Sequence, residues 1–288
     1  MEIHIKDELS ALHQFVQELL FNELSGAPGG LHVLPTGKTF SVPYELLRRR
    51  LLKIAVQQGT KIPNKGASST HLDFSGLRIL NLDEYLLNWK VIPATDPRSF
   101  RANMLPLIRA LDALGFRNKN HIFPDTPYGF DYAFSGYELL TKLDTLLSAI
   151  GPASSVFLGL GPPESPHIAF CAPGYTDEIG LPWEQIGAYV SPVDAATRKA
   201  NESDKGITSG DVPEYATTIS PATLLLLRPQ NVYLVAYGKK DLRPLLDLNP
   251  NESVNINAYP PGILSLLEAQ GSSIHIVTDQ ATWNNATQ

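Results

Sequence analysis

Four side chains that can move protons stand just past two apolar runs: Asp83 and Glu84 after Arg78-Ile-Leu-Asn-Leu82, and Glu164 and His167 after Val156-Phe-Leu-Gly-Leu-Gly161. In an open parallel sheet, ligands bind in the crevice beyond the carboxyl ends of the strands. Acids and a histidine at such ends are placed for proton transfer on a sugar or an acyl group. Taken singly, an adjacent acidic pair more often caps a helix, and a lone histidine more often makes an ordinary hydrogen bond. On two strand ends of one sheet, Asp83 and His167 make a base and acid pair.

Groups able to hold an anion follow other strands. Pro35-Thr-Gly-Lys-Thr39 comes after Leu31–Leu34 and opens a helix. Gly37 lets a ligand approach the backbone, Thr36 and Thr39 offer hydroxyls, Lys38 a charge, and the helix start its unpaired N–H groups. A nucleotide P-loop is disfavoured, because His32 stands where that motif needs a glycine. Gly159-Leu-Gly161 lacks the third glycine of a dinucleotide turn, with Glu164 in its place, so the two glycines are read as letting a substrate lie against the chain. Gly238-Lys239-Lys240 follows Asn231–Ala236 and suits a phosphate. The mixed-charge run Arg198 to Lys205 offers Arg198 as a further contact. The remaining six histidines (His4, His13, His32, His71, His121, His275) show no metal-ligand spacing, and no metal or cofactor is expected. Cys171 has no base partner in sequence and reads as structural.

The elements that must position these groups alternate. Apolar periodicity predicts helices over 7–24, 42–58, 99–115, 131–150, 221–226, 241–246 and 262–270, and strands over 31–34, 78–82, 155–160, 231–236 and 273–278. Such alternation indicates an α/β fold, a largely parallel, doubly wound sheet with helices on both faces. Residues 171–211, rich in Gly, Pro, Asp and Ser, read as a lid or insertion within one domain spanning 1–288.

Bulk properties fit that picture. The chain has 288 residues, enough for a sizeable core, and 23 basic against 29 acidic residues, a net charge of -6. Nothing in this balance calls for nucleic acid. The N-terminus is polar and lacks a signal peptide's apolar core, no apolar run approaches the ~20 residues of a membrane span, and a lone cysteine excludes an internal disulfide. A cytoplasmic setting is expected.

In order along the chain, these pieces resemble the glucosamine-6-phosphate deaminase/isomerase family, which shares its fold with 6-phosphogluconolactonases. Leu34-Pro-Thr-Gly-Lys-Thr39 resembles the family's Leu-Pro-Thr-Gly-Gly-Thr turn, and Asn81-Leu-Asp-Glu-Tyr85 its Asn-Met-Asp-Glu-Tyr strand end. Asp96-Pro-Arg-Ser-Phe100 with Met104, Gly159-Leu-Gly161 with His167-Ile-Ala-Phe170, Val212-Pro-Glu-Tyr-Ala216 with Thr223-Leu-Leu225, and Gly238-Lys-Lys240 match further segments. The resemblance implies a cofactor-free site for a sugar phosphate. In it Asp83 carries a proton between C2 and C1 of the opened amino sugar, and His167 assists ring opening. Glu84, Tyr85, the Thr-Gly turn and the basic residues would bind substrate. Tyr85 and His-Ile-Ala-Phe favour the deaminase branch over the lactonases. Oligomeric state stays open, related enzymes often assembling as homo-oligomers.

The chain also departs from the family. Pro162-Pro-Glu-Ser-Pro166 replaces Asn-Asp-Gly and is two residues longer, so Ser165 stands where an aspartate supports the histidine, and Ala172 replaces a glutamate. Ser203 stands near the place of a lid arginine, and Asp241 at that of a lysine, with Lys240 one residue away. Glu164 is the expected substitute partner of His167. Three functions follow: isomerisation with or without deamination of an amino-sugar phosphate, non-catalytic sugar-phosphate binding, and lactone hydrolysis.

Overall fold

The computed structural model describes residues 1–59, 71–122, 151–202, 211–248 and 254–287. The helix expected over 131–150 lies outside them. Eleven strands form two sheets among the described residues: β1 (Glu2–Lys6), β2 (Leu31–Leu34), β3 (Arg78–Asn81), β4 (Asp83–Leu87), β5 (Lys90–Val91), β6 (His121–Ile122), β7 (Ala153–Gly159), β8 (Tyr189–Pro192), β9 (Tyr215–Thr218), β10 (Asn231–Ala236) and β11 (Ser273–Asp279). Seven make a sheet in the order β1-β11-β10-β7-β2-β3-β6, with every pairing parallel.

Side chains along its strands alternate between two buried faces, as a sheet covered on both sides requires. Leu158, Leu234 and Ile276 pack on one face with the helices Pro221–Leu227 and Ile263–Ala269. Phe157, Tyr233 and Val277 face the other way, against α1 (Leu9–Gly26), α2 (Ser41–Gly59) and α3 (Phe100–Asp112). Strand order reverses between β2 and β7, whose following segments diverge and open a crevice at their carboxyl ends.

Two features go beyond the sequence reading. Glu2-Ile-His-Ile-Lys6 is an edge strand on β11, not a plain polar terminus. The second sheet, β5-β4-β9-β8, is antiparallel and was not foreseen. The run expected as one strand over 78–82 stops at Asn81, because Leu82 is a pivot. Its N–H donates to the Leu34 carbonyl of the parallel sheet (3.3 Å), and its carbonyl accepts from Ile219 N–H (3.1 Å) beside the antiparallel one. Residues 171–202, within the stretch read as a lid or insertion, carry the helix Tyr175–Ile179, strand β8 and the helix Ala195–Glu202. Cys171 is buried and its Sγ donates to the Ile219 carbonyl at 3.2 Å, a packing role. Among the described residues, no helix is long and apolar enough to cross a membrane.

Phe157 is fully buried and stacked on Tyr233, with ring centroids 4.6 Å apart. Phe157→Ala should therefore cost about 3–5 kcal/mol in urea unfolding; a loss under about 1 kcal/mol would contradict this packing.

Candidate active site

A cavity of about 490 Å³ opens at the β2/β7 switch point. Its floor is the turn Pro35–Thr39 together with Gly159 and Gly161, and its walls include Asp83, Phe100, His167, Phe170, Thr197, Asn201, Tyr237, Lys239 and Lys240. The turn leads through a short 3₁₀ segment, Lys38–Phe40, directly into α2, so it approaches the ligand end-on to the helix. Tyr44 pins it by donating to the Pro35 carbonyl at 2.6 Å. Thr36 Oγ1 is buried with no hydrogen-bond partner among the described residues, a donor held at the cavity wall.

Asp83 opens β4 and is only 6 % exposed. In the antiparallel register it faces Thr218 of β9, whose Oγ1 donates to Asp83 Oδ1 at 2.6 Å. Burial raises its pKa to about 7; the Thr218 bond works against that rise and the neighbouring Glu84 charge adds to it. A carboxylate so poised exchanges protons near neutrality.

Strand alternation turns Glu84 to the opposite side, and this corrects the expectation that it faces a ligand. Its carboxylate is fully buried at the start of α3, accepting from Phe100 N–H (2.9 Å), Arg101 N–H (2.9 Å) and the Ser99 hydroxyl (2.8 Å), and from Tyr85 N–H at 2.9 Å. A negative group at a helix N-terminus completes the unpaired N–H groups there. Tyr85 stacks on Phe100 at 4.6 Å, and its hydroxyl accepts from Asn201 Nδ2 at 2.7 Å. It borders a second hollow of about 700 Å³ that shares Thr36, Gly37, Lys38, Phe100, Asn201 and Tyr237 with the first.

His167 is brought in by a tight return of the loop after β7. Gly161 N–H donates to the His167 carbonyl at 2.8 Å, and a Cβ on Gly161 would come within 2.5 Å of His167 Nδ1. The glycine is thus required by the histidine's own packing. Burial holds the imidazole below its usual pKa, hence neutral at pH 7; Asp194 opposes this and Lys240 reinforces it. The carboxylate beside it is Asp194, with Oδ2 4.0 Å from Nδ1, a residue that sequence reasoning missed. Asp194 also caps the helix Ala195–Glu202, accepting from Thr197 N–H (3.0 Å) and Oγ1 (2.6 Å). Burial would raise its pKa, but these bonds and His167 hold it below the usual carboxylate range. The signal was present as Asp194-Ala-Ala-Thr197, a helix-capping pattern.

Glu164, the expected substitute, is exposed, and no hydrogen bond joins it to His167 among the described residues; its charge acts on Lys240 instead. Arg198 points off the cavity face of its helix and pairs with Glu214 at 3.7 Å, while Thr197 and Asn201, one turn apart, face inward. Lys240 is held below the usual lysine pKa by burial. Asp241 turns away to grip Arg243 with both oxygens at 3.0 Å, and together with Lys38 the cavity is lined by Lys239 and Lys240. The left-handed Gly238 (φ 77°) makes the turn that presents them.

No family model matches this chain, nor does any curated protein. Solved structures do. A monomeric glucosamine-6-phosphate deaminase superposes with a TM-score of 0.69 at 18 % identity, covering 99 % of each chain. The chain shares its fold. The 6-phosphogluconolactonase of Trypanosoma brucei follows with a TM-score of 0.62 at 16 % identity, over 99 % of this chain and 98 % of that one. That of Trypanosoma cruzi also gives 0.62 at 16 %, over 100 % and 97 %.

Two outcomes follow. Because Asp83 ionises near 3.8 in an unfolded chain and near 7 here, the unfolded state gives up its proton first as pH rises. The stability from this group is full below about pH 4 and is lost by about pH 7. Asp83→Asn should remove that dependence and melt above the wild type at pH 8; a lower melting point there would refute the burial argument. Glu84→Ala, which strands several donors at the start of α3, should destabilise by on the order of 3 kcal/mol in denaturant unfolding at neutral pH.

Proposed function

We propose that this protein catalyses proton transfer on a phosphorylated sugar, as an aldose–ketose isomerase acting on an amino-sugar phosphate such as glucosamine 6-phosphate, with deamination as the coupled outcome. The observation that carries this reading is the convergence of Asp83 and His167 on one cavity that Lys239, Lys240 and the Thr36–Thr39 turn also line. An acid–base pair beside anion-binding groups suits a substrate that carries both a phosphate and a reacting carbonyl. The shared fold with a glucosamine-6-phosphate deaminase supports it.

Neutral His167 takes the proton of the anomeric hydroxyl, and the resulting imidazolium returns a proton to the ring oxygen, opening the sugar. Asp194 steadies that imidazolium, so that the charge never stands alone in the buried site. Asp83 as carboxylate then removes the proton at C2 while O1 takes one from the C2 ammonium, and the acid form of Asp83 delivers its proton to C1; water adds to the resulting C2 iminium and ammonia leaves, which gives the keto sugar phosphate. The Thr36 hydroxyl, the turn's N–H groups and the two lysines hold the phosphate. No step calls for a metal or an organic cofactor.

Lactone hydrolysis is a second reading, favoured by the 6-phosphogluconolactonase folds and by the His167–Asp194 pair, which suffices to activate water. The two part at Asp83, which only enolisation needs as the base. Proton NMR with glucosamine 6-phosphate in heavy water should show deuterium at C1 or C2, or fructose 6-phosphate accumulating, and Asp83→Asn should reduce this at least 10³-fold. Full turnover in that variant would sink the assignment, and rapid hydrolysis of 6-phosphogluconolactone that survives it would select the hydrolase.

The rate should rise tenfold per pH unit up to about 7 as Asp83 loses its proton, then level. Asp194→Asn should lower kcat more than it raises KM, since it acts on a charge formed after binding. An unchanged kcat would remove Asp194 from the scheme.

A further inference from the structure

The parallel pairing of the first and last strands assembles side chains that no sequence spacing could connect. Glu2 stands directly opposite His275 in the β1–β11 register, and His4, two residues on, shares its face. His4 Nε2 lies 3.2 Å from His275 Nδ1, across 271 residues of chain. His275 Nδ1 is 3.3 Å from Glu2 Oε2, and His4 Nε2 is 3.6 Å from Glu2 Oε1.

These edges fit a metal's coordination shell. Ligand atoms at about 2.0–2.1 Å from a tetrahedral ion stand roughly 3.3–3.4 Å from one another; the two ring nitrogens are 3.2 Å apart, and each has its own Glu2 oxygen beside it, Oε2 at 3.3 Å from His275 and Oε1 at 3.6 Å from His4. Both rings are held before any ion arrives. His275 is stacked on Tyr233 at 4.8 Å with planes 16° apart, and His4 leans on Phe15 at 5.2 Å. Lys6, next on the same face, lies over the Phe15 ring at 3.6 Å. The Glu2 carboxylate is largely exposed, so an ion has a path in.

We propose that Glu2, His4 and His275 form a binding site for a divalent transition-metal ion of the zinc class, with the remaining position open to solvent. Two imidazoles and one carboxylate select zinc, nickel or copper over magnesium and calcium, which want oxygen ligands. None of the three residues lines the catalytic cavity, so the site is independent of the reaction proposed above. Its effect is mechanical: the ion clamps the edge strand β1 to β11 and thereby ties the start of the described chain to its last strand.

The full chain, stripped with a chelator, would be titrated with zinc chloride by calorimetry and with cobalt chloride by visible absorption. One ion per chain, an intense cobalt band of the tetrahedral kind, and a melting temperature that rises with zinc but not with magnesium are expected. Glu2→Gln, at an exposed position that leaves the fold intact, should weaken zinc at least tenfold, and His4→Gln with His275→Gln should abolish the site. Metal-free melting of each variant serves as the control for folding. The proposal is overturned if about 100 µM zinc gives no saturable heat, or if the double variant binds it unchanged, which would place the ion elsewhere.

Discussion

The grip of Glu84 on the N-terminus of α3 is the constraint from which the site follows. A carboxylate buried at 0 % exposure is costly unless it is fully hydrogen-bonded, and here Ser99, Phe100, Arg101 and Tyr85 surround it. That requirement fixes the rotation of β4 about its axis. Because neighbours on a strand face opposite ways, fixing Glu84 toward α3 directs Asp83 toward the cavity and Thr218. One interaction thus holds the start of α3 to β4 and aims the Asp83 carboxyl into the cavity.

The cavity brings opposite charges together: Lys239 and Lys240 line it with Asp83, whose carboxyl burial keeps only partly ionised near neutrality. In the proposed reaction an anionic substrate then meets two cations and a carboxylate short of full charge. Burial keeps His167 neutral, and Lys240 adds to the effect while Asp194 opposes it, so the imidazole starts without a proton. The Asp194 charge is satisfied by the helix it caps, so it can stabilise an imidazolium without being free to displace the ligand.

Much of this was legible in sequence because the parallel sheet is written in local signals: β2 and β10 lie where apolar runs placed them, and the Pro35–Thr39 and Gly238–Lys240 turns sit at strand ends beside the cavity. The antiparallel sheet was not legible, since β4 and β9 are short, buried on both sides and joined by pairing across more than a hundred residues, as Asp83 and Thr218 show. Side-chain direction was the other gap. Asp83 and Glu84 carry the same chemistry in sequence, and only the pairing register separates a cavity residue from a helix anchor. Glu164 was favoured by proximity along the chain, whereas Asp194, 27 residues beyond His167, was brought near by folding.

The resemblance read from sequence sets Pro162–Pro166 in the place of an Asn-Asp-Gly whose aspartate would support the imidazole. The longer loop still returns over Gly161 and seats His167 against the sheet, and what that loop no longer supplies can come from any element whose carboxylate reaches Nδ1. The helix Ala195–Glu202 brings a carboxylate close because its cap must be an acceptor: Asp194 Oδ2 stands 4.0 Å from Nδ1, near enough to act on an imidazolium by its charge but not as a hydrogen bond to the resting ring. In the proposed reaction such a site keeps its proton chemistry under different local residues, and the fold is shared over nearly its whole length at identities of 16–18 %. Fold and cavity are set by long-range packing; the groups lining the cavity need only arrive at the same positions, from whichever segment is nearest.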